Sequence, residues 1–120
     1  MPSLYEALRD RLTKSNEINI TVIGRKSGRT ISIPVWFVLD DAELYLLPVQ
    51  GSDTQWYKNV LKNPSLRIEA SGAKAEFQAV PITDAARVSA VAAKFREKYG
   101  KTDVKKYYSK LNVAVLAQTL

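Results

Sequence analysis

From Ile18 to Leu39, apolar side chains recur at every second position on both sides of a short glycine-containing loop, which commits this part of the chain to an antiparallel hairpin. In the first run Ile18, Ile20 and Val22 share a face. In the second, which begins at Thr30, the face is Ile31, Ile33, Val35, Phe37 and Leu39. The loop between them reads Gly24-Arg25-Lys26-Ser27-Gly28-Arg29. Its glycines permit positive φ and close approach of the backbone, and Arg25, Lys26 and Arg29 bring charge and forked donors suited to phosphate or carboxylate. Lys26-Ser27 precedes the second glycine, so the spacing is not that of a Walker loop opening a helix. A solvated, charged turn with no ligand satisfies the same pattern. Pro34 has no N–H for a ladder and is expected at a bulge or on an unpaired edge.

Composition limits the chemistry sharply. The chain contains no cysteine and no histidine, which removes disulfides, thiol nucleophiles, Ser-His relays, imidazole bases and the usual zinc ligands. No metal site is expected, and an enzyme built from these residues would take its chemistry from a cofactor. The net charge of +6 favours a polyanionic partner, whether nucleic acid, an anionic membrane surface or a phosphorylated small molecule. With 120 residues, 46% hydrophobic and 25% charged, the expectation is one folded domain over residues 1–120. The longest apolar runs are too short for a transmembrane segment, the N-terminus lacks the order of a signal peptide, and a cytoplasmic location is expected.

The remaining elements follow in order. Ser3-Leu4-Tyr5-Glu6 is a capping box, and Leu4, Leu8 and Leu12 predict a short amphipathic helix to about Lys14. The hairpin strands are expected over Ile18 to Ile23 and Thr30 to Leu39, and a third strand over Glu43 to Val49. Ser52 to Gln55 reads as a second capping box, opening a helix through Trp56, Tyr57, Val60 and Leu61 that stops at Asn63-Pro64. The first turn of that helix offers backbone N–H groups to an anion, although Asp53 is able to satisfy the same dipole. A hairpin from Leu66 to Ile82, a helix capped at Thr83 or Asp84 and stopped by Gly100, a short polar helix or turn over Thr102 to Lys110, and a closing strand over Asn112 to Leu116 complete the chain. The expected fold class is α+β, a small barrel of about six mostly antiparallel strands with helices packed outside.

Ile23-Gly24-Arg25-Lys26-Ser27-Gly28-Arg29, then Ile33-Pro34-Val35, then Trp56-Tyr57-Lys58-Asn59 and Asn63-Pro64 together resemble the deazaflavin-dependent nitroreductase family, within the split β-barrel flavoproteins related to pyridoxamine phosphate oxidase. The resemblance covers residues 18 to 82 and implies a split barrel that binds coenzyme F420. By that resemblance Arg25, Lys26 and Arg29, in the frame of Gly24, Ser27 and Gly28, hold the phosphate and acidic tail. Pro48, Val49 and Gln50 lie along the ring, and Trp56, Tyr57 and Asn59 shape the pocket. Gln50 stands where many members carry lysine or serine, and Tyr107 and Tyr108 are the nearest counterparts of the acceptor-lining aromatics. Such proteins are often homodimers.

The activity implied is hydride transfer from the reduced deazaflavin to a small-molecule electron acceptor such as a quinone, nitroaromatic or activated enone, with Tyr107 or Tyr108 as catalytic proton donor. FMN is the alternative cofactor, since its phosphate suits the same cations. A non-catalytic flavin or F420 binder is the alternative role. Nucleic acid is not expected as a partner, because the loop cations are clustered rather than spread with aromatics along a sheet face. Trp56 read by itself fits a core position, Asn59 a plain polar helix residue, and Tyr107-Tyr108 a packed lid.

Overall fold

The computed structural model describes residues 8, 10–40 and 43–119. The capping box at Ser3 to Glu6, with Leu4, lies outside them, as do Asp41 and Ala42 of the expected turn. Leu8 and residues 10–12 are helical, and Leu8 and Leu12 are buried in the core as their spacing predicts.

The strands are β1 (Ile18–Ile23), β2 (Thr30–Val35), β3 (Phe37–Asp40), β4 (Glu43–Leu46), β5 (Ser65–Ala70), β6 (Ala73–Ile82) and β7 (Ala114–Thr119). The helices are α1 (Gln55–Lys62), α2 (Ala85–Tyr99) and α3 (Lys101–Tyr107), with a 3₁₀ turn over Gly51–Asp53. All strand pairs are antiparallel, in the order β2-β1-β5-β6-β7-β4-β3. The sheet therefore has seven strands, where about six are expected from the sequence. The extra strand arises because the run expected from Thr30 to Leu39 is cut at Trp36.

That cut determines the architecture. β2 and β3 occupy opposite ends of the sheet, yet a single residue separates them in the chain. Seven strands spaced about 4.8 Å apart would put those edges roughly 29 Å apart in a flat sheet. One residue bridges only a few ångströms, so the sheet must roll until its edges meet at Trp36. The result is an open barrel with Trp36 at its seam. Pro34 lies on β2, an edge strand, as its missing N–H requires.

Inside the roll, Ile18, Ile20, Val22, Phe37, Leu46, Leu66, Ile68 and Phe77 pack with Trp56, Tyr57 and Val60 of α1. Outside it, Val88, Val91, Ala92 and Phe95 of α2 cover Val38, Leu47, Ile82 and Ala114, with Val104 and Tyr108 closing the cluster. Asp84 caps α2, its Oδ2 accepting from the Arg87 N–H at 3.0 Å, and Gly100 stops it at φ 94°. The closing strand runs to Thr119, three residues past the expected Leu116, because Gln118 and Thr119 still pair with Gln78 and Phe77.

Candidate functional site: a seam cleft beside a docked basic loop

The β1–β2 loop closes as a hairpin, with the Gly24 N–H donating to Arg29 O at 2.8 Å and the Gly28 N–H to Gly24 O at 2.9 Å. Gly28 takes a φ of 71°, which a side chain would resist. The three cations do different things. Arg25 is half-buried and turned onto α1, with Nη1 2.8 Å from Asn59 Oδ1 and Nη2 2.8 Å from Gln55 Oε1. The Arg25 main-chain N–H also donates to Asn59 Oδ1, at 3.2 Å, and Lys62 Nζ donates to Arg25 O at 3.1 Å. Lys26 and Arg29 are exposed, and their side chains have no hydrogen bond or ion pair among the described residues. Arg25 thus anchors the loop, leaving Lys26 and Arg29 as unpaired positive charge.

A cleft of about 420 Å³ opens at the seam. Its lining is Glu17, Pro34, Val35 and Trp36, then Leu47 and Val49, then Trp56 of α1, and Tyr107 and Tyr108. The Trp36 indole stacks on Tyr99 with centroids 4.2 Å apart and planes at 9°, while Tyr107 stands nearly perpendicular to it at 5.5 Å and 77°. Tyr99 in turn fixes the seam backbone: its hydroxyl lies 2.7 Å from Asn16 O and 2.9 Å from Phe37 O, and accepts from the Phe37 N–H at 3.2 Å. Burial pushes the Tyr99 hydroxyl up to about 12, and it raises Tyr108 and Tyr57 in the same direction.

The segment after β4 is held from two sides. Strand β4 ends at Leu46, short of the expected Val49, and the next residues are strapped by the turn before β7. The Ser109 N–H donates to Val49 O at 2.9 Å, Asn112 Oδ1 accepts from the Ser52 N–H at 3.0 Å, and Asn112 Nδ2 donates to Ser52 Oγ at 2.9 Å. Gly51 at φ 55° passes so close to Asn112 that a Cβ would overlap its Oδ1. Helix α1 starts two residues later than the expected Ser52 cap. Its N-cap is Thr54, whose Oγ1 accepts from the Gln50 N–H at 2.8 Å instead of capping the helix, and Lys110 Nζ takes up Asp53 at 3.2 Å.

Of the residues nominated from the sequence, Val49, Trp56, Tyr107 and Tyr108 meet around the cleft, and Arg25 meets Asn59 on the neighbouring side of α1. Tyr57 is buried in the barrel core, as is the greater part of Trp56. Pro48 is buried beneath the cleft segment and Gln50 is exposed beyond it, bridged to Lys110. Trp36, Leu47 and Glu17 line the cleft without having been nominated. For Trp36 the available signal was its position beside Pro34 in the middle of an otherwise regular strand. Among the described residues no group of three or more His, Cys, Asp and Glu is placed to hold a metal, and no helix is long and apolar enough to cross a membrane.

A rolled antiparallel sheet open along one seam, with helices over the outside and a cleft at the seam, defines a split-barrel protein. The chain belongs to the family described as "Uncharacterized protein conserved in bacteria (DUF2255)", which it matches over residues 9–120. Among solved structures it is similar to an F420-H2 dependent reductase called FDR-A, at 18% identity and TM-score 0.67, covering 86% of this chain and 94% of that one. It is also similar to a conserved hypothetical protein from Mycobacterium tuberculosis, at 18% identity and TM-score 0.72, covering 99% and 81%. HutZ, the heme storage protein from Vibrio cholerae, matches at 14% identity and TM-score 0.70, covering 98% and 90%. At these identities the likeness is one of fold. No curated protein matches the chain.

Proposed function

We propose that the protein is an F420-dependent oxidoreductase that reduces a small electrophilic acceptor, a quinone, nitroaromatic or activated enone, in the seam cleft. The observation that carries this reading is the adjacency, along α1, of unpaired loop cations and an aromatic cleft: Gln55 and Asn59 hold the loop through Arg25, and Trp56 of the same helix lines the cleft. An anionic tail and a flat ring on one molecule match that pair of surfaces. The fit is tested by what the side chains already do, and Lys26 and Arg29 remain available while Arg25 is engaged.

In this reading Lys26 and Arg29 bind the phosphate and acidic tail, and Pro48, Val49 and Gln50, strapped to Ser109 and Lys110, form the shelf beside the ring. Trp36, Trp56 and Tyr107 exclude water and align the acceptor. The cofactor, when bound, supplies the hydride. The final proton comes from solvent or from Tyr107, which is 53% exposed at the cleft wall. Burial raises the pKa of Tyr108, which makes its hydroxyl a poorer proton donor.

FMN is the second reading, since one phosphate would also be met by Lys26 and Arg29. The heme proteins among the structural relatives suggest a third ligand, but this chain has no histidine or cysteine to serve as the commonest axial ligands. Oxidation of reduced F420 followed over a panel of quinones, nitroaromatics and enones tests the proposal. Turnover with any class supports it. Cofactor binding with no turnover across the panel would reduce the protein to a binder.

A further inference from the structure

Charge in the seam cleft is distributed opposite to the charge of the chain. The protein carries a net +6, yet among the described residues no lysine or arginine lines the cleft, and the one charged residue in its lining is Glu17. The Glu17 carboxylate has no hydrogen bond or ion pair among the described residues. Four aromatic side chains, Trp36, Trp56, Tyr107 and Tyr108, line the same cleft. Trp36 and Tyr107 meet at 77° with centroids 5.5 Å apart, so they form two walls of a corner, while Tyr99 backs the indole at 4.2 Å without itself lining the cleft.

Aromatic rings and an unpaired carboxylate lining one cleft both favour positive charge there. We propose that this cleft selects organic cations: a ligand whose flat ring or compact head carries a quaternary or protonated nitrogen, with Trp36 and Tyr107 against the cation and Glu17 as its counter-charge. The inference rests on the proposed function in using the same cleft, where it names the class of acceptor admitted. An anionic ligand brings like charge to Glu17 and finds no cation among the described lining residues to offset it. The rings of this cluster already attract ammonium groups: Lys106 Nζ lies 5.4 Å from the Tyr107 centroid and Lys98 Nζ lies 5.0 Å from that of Tyr99. Neither lysine lines the cleft, so neither fills the place of the ligand.

The test needs no redox cofactor. Both tryptophans of the chain line the cleft, so their two indole N–H resonances report occupancy directly. The probes are 1-methylnicotinamide, nicotinamide and nicotinate, which share a ring and differ in charge. The cation is expected to bind at least about fivefold more tightly than the neutral amide, the anion more weakly still. Glu17→Gln, at an exposed position with no hydrogen bond or ion pair among the described residues, should reduce the preference, leaving only the share due to the aromatic rings, while the neutral probe binds as before. Equal or tighter binding of nicotinate, or indole resonances that fail to move with any probe, would overturn the proposal. Because F420 is absent, failure of the cofactor to bind in a separate experiment would contradict the proposed function and leave this result standing. A missing cation preference in a protein that does bind F420 would remove this inference alone.

Discussion

Asn59 Oδ1 accepts two hydrogen bonds from one residue, the Arg25 main-chain N–H at 3.2 Å and Arg25 Nη1 at 2.8 Å. Asn59 is 4% exposed, so this pairing sits where a lost partner is not readily replaced by water. It converts a charged hairpin turn into a part of the wall built on α1. Arg25→Ala and Asn59→Ala should each lower stability by about 1–3 kcal/mol, and the double variant should fall short of the sum by about 1 kcal/mol. Denaturant unfolding of the four proteins measures this. Additive losses would show that the pair is not coupled.

Gly51 and Gly28 both take positive φ, but their surroundings differ. At Gly51 (φ 55°) a Cβ meets Asn112 Oδ1 and the Lys110 backbone, whereas at Gly28 (φ 71°) nothing lies within 4 Å. Gly28→Ala should therefore cost only the backbone term, about 1 kcal/mol. Gly51→Ala should cost more than about 2 kcal/mol and loosen the shelf at Pro48 to Gln50. Thermal melts of the two variants decide it; equal losses would mean that the Asn112 strap yields freely.

Alkaline pH should affect stability in two opposite senses. Burial lowers Lys98 to about 8 from 10.5, so between those values the unfolded chain holds more protons and stability rises with pH. Burial raises Tyr99 to about 12 from 10.0, and Tyr108 in the same direction, so above pH 10 the unfolded chain gives up protons first and stability falls. A maximum near pH 10 is expected in unfolding titrations, and Lys98→Met should remove the rising limb only. Tyr99→Phe removes the hydroxyl that meets Asn16 O, Phe37 O and the Phe37 N–H, and should cost about 1–3 kcal/mol at neutral pH. A stability that declines steadily from pH 8 would contradict the assignment for Lys98.

Local signals carried most of the fold. Period-two runs marked β1, β2 and β5, and Asp84 and Gly100 marked both ends of α2, because these features depend on neighbours in sequence. The break at Trp36 did not show. Ile31, Ile33, Val35, Phe37 and Leu39 alternate without interruption, and only the closure of the sheet, in which β2 and β3 take opposite edges, divides them. The capping box at Ser52 misled for a similar reason: Asn112, sixty residues away, takes the Ser52 N–H, while Thr54 turns its hydroxyl back to the Gln50 N–H. In the candidate site, the loop cations were legible from their glycines, but the division of roles between Arg25 and the pair Lys26 and Arg29 depends on α1 docking beside the loop. Trp36 and Glu17 flank strands and gain meaning only when the seam brings them to Tyr107.

The central claim is that an anionic deazaflavin is held by the free cations of the β1–β2 loop beside the seam cleft. Fluorescence titration with F420, and separately with FMN, on the parent protein and on the Lys26→Ala, Arg29→Ala double variant tests it most directly. Both side chains are exposed and unpartnered among the described residues, so the variant should melt within about 0.5 kcal/mol of the parent. The expected result is tighter binding of F420 than of FMN by the parent, a loss of at least about tenfold in F420 affinity in the variant, and a steeper salt dependence for the parent. Tighter binding of FMN would reassign the cofactor, and F420 affinity unchanged in the folded variant would contradict the claim.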